Sequence, residues 1–300
     1  MNVSINGVPI GGAIPVQMAK AIDHAGGRGD ACEIAVPTSV CSGWTFEETD
    51  TLAIDEGGYS TGDMRIDGVE HTPAGMTIIK AVSLPAGAKE TGFAVYENVT
   101  LAQLLRAGAQ AMGIGWALYG VDGDILLRRI VRRQQTWPEF LSMIFRAESA
   151  AIKFESGKVI AVGYDWAFAQ APVRTLRDEG KGAYTSKPRF RTMGVRTGLI
   201  EAKATDSAAV GSAFKRQYNE QVYDLVQAKR TARGLLLYEN LNSETYRCTV
   251  PLDTGIAAMS RIELTGQART AGSWFAADVA HEFVKRTTTL TLKRCITTIK

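Results

Sequence analysis

The sequence predicts a mainly β protein with a small α+β insert. Three observations lead there. Short apolar runs alternating at period two fill the first ninety residues. A second series of such runs fills the last seventy. Helix start signals followed by apolar stripes at period 3.6 gather between them.

The elements follow in order. Residues 1–12 (MNVSINGVPIGG) alternate like a first strand. Residues 14–23 fit two patterns: Ile14, Met18 and Ile22 make a helical face, while Val16, Met18 and Ile22 with the Gly26-Gly27-Arg28-Gly29 loop make a hairpin, the favoured reading. Cys32, Ile34 and Val36 alternate with Glu33 and Ala35, and Met64 and Ile66 with Asp63, Arg65 and Asp67. Met76, Ile78, Ala81 and Val82 follow the turn Thr72-Pro73-Ala74-Gly75.

Two helices come next. Thr100 with Gln103 and Thr136 with Glu139 have the capping-box spacing, in which each side chain satisfies the other residue's free backbone N–H. Leu101, Leu104, Leu105 and Met112 form one stripe, ended by Gly113. Phe140, Leu141, Ile144 and Phe145 form the other, with Pro138 tolerated in the first turn. A strand over 125–131 lies between them, and a hairpin over 151–162 turns at Ser156-Gly157.

Beyond 162 the chain is polar and arginine-rich, with breakers at Gly180, Gly182 and Pro188, before a strand over 192–201. A third helix is expected over about 207–233, starting near Ser207 or Asn219. It would carry Val222, Leu225, Val226 and Lys229 on one side and stop at Gly234. Strands over 235–238, 246–250, 261–265, 273–279 and 287–292 then have the spacing of a barrel or sandwich. The expected division is 1–95, 96–162 and 163–300, with no internal repeat or low-complexity linker.

The 300 residues suffice for several packed domains. Net charge is only +3, but residues 1–127 hold 6 basic and 15 acidic side chains, net −9, whereas 128–300 hold 28 and 16, net +12. Such asymmetry points to a charged contact more than bulk charge does. Four cysteines, Cys32, Cys41, Cys248 and Cys295, have no C-x-x-C pair and fit a reducing assembly compartment. The start lacks signal-peptide features, so export by that route is not expected. The uncharged stretch 107–121 is glycine-broken and shorter than the roughly 20 residues of a membrane helix.

Motifs that could carry chemistry read as ordinary structure. Gly58-Tyr59-Ser60-Thr61-Gly62 matches the nucleophile-elbow pattern G-x-S-x-G, but a strand-like segment follows where a helix is required, so a turn is expected. His24, His71 and His281 have no zinc-ligand spacing. Asp122-Gly123-Asp124 lacks the further carboxylates of a calcium loop and reads as a turn. Arg28-Gly29-Asp30 matches an adhesion tripeptide by composition alone, and Glu47, Glu48, Asp50, Asp55 and Glu56 read as a solvated loop. No catalytic residue, metal site or cofactor site is expected.

The densest charge feature is Arg128, Arg129, Arg132 and Arg133. On a strand, Arg128, Ile130 and Arg132 share one face and Arg129, Val131 and Arg133 the other, which would put both faces against solvent or a partner. A solvated strand, a contact to an acidic partner surface and nucleic-acid binding all remain open for it, although no nucleic-acid module accompanies it.

The order of segments resembles the baseplate hub proteins of contractile phage tails, the late-control-protein-D group, related to the hub of larger myophages and to the hub part of type VI secretion spike proteins. The stretch Thr61-Gly62-Asp63-Met64-Arg65-Ile66-Asp67-Gly68-Val69-Glu70, followed by Met76-Thr77-Ile78-Ile79-Lys80-Ala81, looks like that family's strand pair. Glu97-Asn98-Val99-Thr100-Leu101-Ala102-Gln103-Leu104-Leu105-Arg106 looks like its first helix. Thr136-Trp137-Pro138-Glu139-Phe140-Leu141 and Ala151-Ile152-Lys153-Phe154-Glu155-Ser156-Gly157-Lys158-Val159-Ile160 look like its second helix and hairpin. Ala271-Gly272-Ser273-Trp274-Phe275-Ala276-Ala277-Asp278-Val279-Ala280-His281-Glu282-Phe283 with Thr287-Thr288-Thr289-Leu290-Thr291-Leu292 is similar to its closing pair. The chain is short for the group, and no lysozyme or spike domain follows in it.

The resemblance implies two tail-tube-like antiparallel β-barrel domains, 1–95 and 163–300, around the 96–162 insert. Three copies would then set six barrels in a ring. It implies a structural, non-enzymatic adaptor in the virion tail baseplate, assembled in the host bacterial cytoplasm, joining the hexameric tail tube to the trimeric central spike around a DNA channel. Partners implied are the chain itself as a homotrimer, the tube protein and the spike protein, with tape measure and baseplate wedge proteins as further candidates. DNA would be met only in transit, and no membrane. Arg128, Arg129, Arg132 and Arg133 become candidate subunit or partner contacts. The alternatives are the hub of a secretion spike or headless tail-like particle and, in another class, a tail-associated cell-wall hydrolase using Ser60 or Glu47 and Glu48.

Overall fold

Most of the period-two runs become strands of one large, mainly antiparallel sheet. The computed structural model describes residues 1–10, 14–41, 43–47, 49–210, 215–218 (backbone) and 221–300. The first part comprises β1 (Asn2–Ile5), β2 (Val8–Pro9), β3 (Met18–His24), β4 (Ala31–Pro37), the single turn α1 (Thr38–Cys41), β5 (Thr51–Glu56), β6 (Tyr59–Ser60), β7 (Met64–His71) and β8 (Met76–Val82). Residues 14–23 resolve as the hairpin: β3 pairs antiparallel with β4, placing Ala21 opposite Cys32. Ala19, Ala21 and Asp23 point inward, and Ile34, Leu52, Ile54, Ile79 and Phe283 fill the core beneath them.

The middle comprises β9 (Gly92–Thr100), α2 (Leu101–Met112), β10 (Gly115–Tyr119), β11 (Leu126–Gln135), α3 (Trp137–Ala147), β12 (Ala150–Glu155) and β13 (Lys158–Gly163). Both capping boxes form: Thr100 accepts from Gln103 N and Thr136 from Glu139 N, and each N3 side chain accepts the cap's own N–H. Gly113 ends α2 in the left-handed region, as a C-terminal glycine does. Ser156 and Gly157, both at positive φ, close the β12–β13 hairpin. β10 adds to β13 in parallel, while β9 and β11 make a separate two-stranded ribbon. The apolar stripes of α2 and α3 share a core with Ile152, Phe154 and Val159.

The last part comprises α4 (Tyr164–Ala169), β14 (Arg174–Arg177), β15 (Ala183–Ser186), β16 (Thr192–Thr197), β17 (Ile200–Thr205), β18 (Lys215–Tyr218), α5 (Leu225–Asn240), β19 (Glu244–Pro251), β20 (Arg261–Thr265), β21 (Gly272–Glu282) and β22 (Thr287–Arg294). The run expected as one strand over 192–201 is a β16–β17 hairpin. The third helix differs most from expectation. It runs over Leu225–Asn240 instead of about 207–233, is capped by Asp224, and passes through Gly234. The strand expected over 235–238 is therefore helix. Residue Asn219, one expected start, lies outside the described residues.

The reason is packing. At Gly234 a Cβ would stand 2.3 Å from Ala147 O, so the glycine lets α5 lie directly on the carboxyl end of α3. The buried side of α5 is Ala228, Thr231, Ala232, Leu235 and Leu236, and Leu225 and Val226 face out. Tertiary contact overrides the local helix-stop signal.

Among the described residues, the main sheet follows the path β15-β19-β22-β21-β3-β4-β8-β7-β5-β1-β2, with β20 and β14 beside β21 and β6 beside β5. It does not close on itself. Its two halves meet where β21 pairs with β3, Asp278 opposite His24 and Glu282 opposite Lys20. Replacing Gly234 with alanine should cost about 1–3 kcal/mol, because backbone cannot yield the missing space. Urea unfolding should show a lowered midpoint with an unchanged slope.

Candidate functional site

The arginine strand is the clearest candidate. β11 pairs with β9 so that Val131 faces Val95, Arg132 faces Ala94 and Arg133 faces Phe93. One face of the ribbon packs inward: Tyr96 lies 6.1 Å from the Trp137 ring and 6.0 Å from Phe140, centroid to centroid. Arg132 belongs to that face and is buried, so of the two arginines expected there, Arg128 and Arg132, only Arg128 reaches solvent. Its guanidinium donates to Gln135 O and Glu90 O, both at 2.8 Å, and sits 4.5 Å above the Trp137 ring. It staples the ribbon to the start of α3.

Arg128, Arg129 and Arg133 are exposed. Arg129 makes a loose 3.8 Å ion pair with Glu97, and no carboxylate among the described residues meets Arg128 or Arg133. Beside them stand Phe93, 70% exposed, and Val95, 44% exposed. A groove of about 510 Å³ runs along β11, with Arg129, Val131 and Arg133 on one side and Met143 and Ala147 of α3, Val222 and Gln227 on the other. Glu148 at its end is turned to Arg230 at 2.9 Å, and burial pushes its carboxyl up.

A second cluster is internal. Lys153 of β12 is buried between Asp23 of β3, at 2.7 Å, and Glu155, at 2.8 Å. Asp23 also accepts the N–H of Ala258 at 2.7 Å, and the neighbouring Asp30 accepts that of His24 at 2.9 Å. Burial works against the Lys153 charge, but Asp23, Glu155 and Asp30 outweigh it and hold the ammonium above its ordinary value. Asp30 is pushed up to about 8, by burial first and by Asp23 second. The cluster ties the first half, the middle segment and the loop before β20 together.

Other sequence candidates are placed as follows. Ser60 sits in the β5–β6 hairpin, where its Oγ accepts from Gly62 N at 3.1 Å; no histidine bonds it among the described residues. The strand-to-strand turn is observed. His281 is buried against Thr288 at 3.0 Å, and burial holds its imidazole low. Asp30 of the adhesion-like tripeptide is buried. Asp124 N donates to Asp122 at 3.0 Å, an ordinary turn. Glu48 lies outside the described residues, and Glu47 N donates to Asp50 at 2.7 Å. No three ligand-type side chains converge on a metal position among the described residues. Burial pushes Cys32 and Cys295 up to about 12 and Cys248 to about 11, so these thiols are inert at neutral pH. The Lys153 cluster escaped sequence reasoning because its members are far apart in the chain; the signal available was one lysine among the apolar residues of β12.

No family model matches the chain, and no curated protein matches it. Solved structures do. The 43 kDa tail protein of prophage MuSo2 from Shewanella oneidensis superposes with a TM-score of 0.76 at 12% identity, covering 98% of this chain and 97% of that one. The tail protein of Neisseria meningitidis MC58 gives 0.74 at 14% identity, covering 98% and 96%. The E. coli c3393 protein, described as a type VI secretion component structurally similar to the T4 phage tail proteins gp27 and gp5, gives 0.60 at 10% identity, covering 97% and 76%. The chain therefore shares the fold of phage tail proteins. No helix of the described residues is long and apolar enough to cross a membrane.

Two predictions follow from these clusters. A carboxyl raised in the folded state binds its proton more tightly there. Between about pH 4 and 8 the unfolded chain therefore holds fewer protons at Asp30, and stability falls as pH rises through that window. Asp30→Asn keeps the acceptor for His24 N and should raise the melting temperature more at pH 8 than at pH 4, checked by thermal melts at both values. Arg132→Ala should destabilise by about 2 kcal/mol through lost hydrogen bonds and stacking, whereas Arg133→Ala should change stability by less than about 0.5 kcal/mol. Paired chemical denaturation curves would show this.

Proposed function

We propose that this protein is the structural hub of a contractile phage tail baseplate. In this reading it is a homotrimer that adapts the sixfold tail tube to the threefold central spike and encloses the channel through which DNA leaves. The observation that carries the reading is the fold likeness to the Shewanella and Neisseria tail proteins, which takes in 98% of this chain and 97% and 96% of theirs. Two strand-rich ends zipped through β3 and β21 are consistent with two tube-like domains, 1–95 and 163–300, on either side of the 96–162 insert. The tube protein and spike are the proposed partners, with tape measure and wedge proteins beyond them. The likeness to the type VI secretion component keeps the hub of a secretion spike or headless particle as the second reading.

Neither reading requires catalysis, and the tail-protein fold favours a structural role over a cell-wall hydrolase. The charge split gives the assembly its physical basis: net −9 over 1–127 and +12 over 128–300 attract between neighbouring copies arranged head to tail around a ring. Arg128, Arg129 and Arg133 are the proposed contact residues, while Arg132 is engaged internally.

Electron microscopy of the purified protein with its tube and spike neighbours should show a threefold ring on the tail axis; any other state overturns the hub reading. Raising the salt concentration should weaken trimer formation, since exposed charges are screened beyond about 8 Å at physiological ionic strength. Analytical ultracentrifugation across a salt series would detect a trimer indifferent to salt, the contrary result. No clearing is expected on peptidoglycan.

A further inference from the structure

The groove along β11 has the form of a strand-addition site. The β9–β11 ribbon has only two strands among the described residues, and among those residues no backbone–backbone hydrogen bond joins β11 to anything but β9, while the N–H of Arg133 turns to Gln135 Oε1 at 3.4 Å. An unpaired edge with free N–H and C=O groups is a template for a further strand. Here the edge is framed: β11 forms one side and α3 and the start of α5 the other, enclosing about 510 Å³. Val131, Met143 and Val222 supply apolar surface within it. Arg129 and Arg133 supply positive charge, and Glu148, the carboxylate in its lining, is already held by Arg230.

We infer that this groove receives an extended acidic segment from residues 1–127 of a second copy of the chain, which adds to the free edge of β11. Charge complementarity selects the occupant. The groove's exposed cations lie in the half with net +12, and the same chain carries a half with net −9. Main-chain hydrogen bonds along the edge would hold the segment, and the arginines would set its register and exclude neutral strands. Because the donor and acceptor surfaces are different patches, the contact is head to tail and can close a ring. The inference rests on the hub reading for the ring but makes a separate claim about where copies touch.

The test uses the full chain. A photo-crosslinking benzoylphenylalanine placed at Met143, on the groove wall, should join the chain to a peptide from residues 1–127 of another copy, identified by mass spectrometry. Arg129→Glu with Arg133→Glu should weaken self-association by about tenfold or more, with only a small fall in melting temperature because both side chains are exposed and only the loose Arg129–Glu97 pair is lost. If copies assemble with unchanged affinity and no cross-link forms across the groove, the inference fails while the hub reading stands. A cross-link to a different segment, or a chain that remains monomeric at all concentrations, also overturns the inference. The hub reading is judged separately by the threefold ring with tube and spike present.

Discussion

The antiparallel pairing of β3 with β21 is the contact on which the rest of the structure depends. Strands more than 250 residues apart in sequence lie side by side, Asp278 opposite His24, with the His24 ring 2.7 Å from that carboxylate. Without this seam the sheet would be two separate pieces. With it, β15 at one end and β2 at the other belong to one hydrogen-bonded path. The closure of so long a loop carries an entropic cost that grows only slowly with length, so a few well-packed strand pairs can offset it.

The seam is reinforced from below by a buried ionic cluster. Asp23, on the strand that pairs with β21, reaches Lys153 of the middle segment and the backbone of Ala258. A buried ion pair is weak evidence for stability, because desolvation consumes much of the attraction. Its more defensible role is positional: removing either partner strands a charge, so the β12–β13 hairpin has one place to sit. Arg132 does similar work further out, tying the ribbon to α3, while the other three arginines of its strand stay exposed.

Local signals in the sequence were reliable where they depend on a few neighbouring residues. Thr100 with Gln103, Thr136 with Glu139, and Ser156 with Gly157 formed the caps and turn that their side chains and backbone preferences require. Gly234 misled for the opposite reason: its demand for space comes from Ala147, far away in sequence. The arginine cluster was legible as charge, but the inward turn of Arg132 depends on Trp137 and on Glu90, which no spacing rule connects. The order of the sheet was likewise beyond periodicity, since alternation marks a strand's faces and says nothing about its neighbour.

A sheet that spans both ends of the chain holds its two strand-rich ends in a fixed relation. Hydrogen exchange of the backbone amides in Met18–His24 and Gly272–Glu282 tests that coupling most directly. If the seam holds the halves together, the central amides of both strands exchange only with global unfolding, at the same free energy as the interior of each half. Exchange of the seam at a much lower free energy, with the two halves remaining protected independently, would contradict the account.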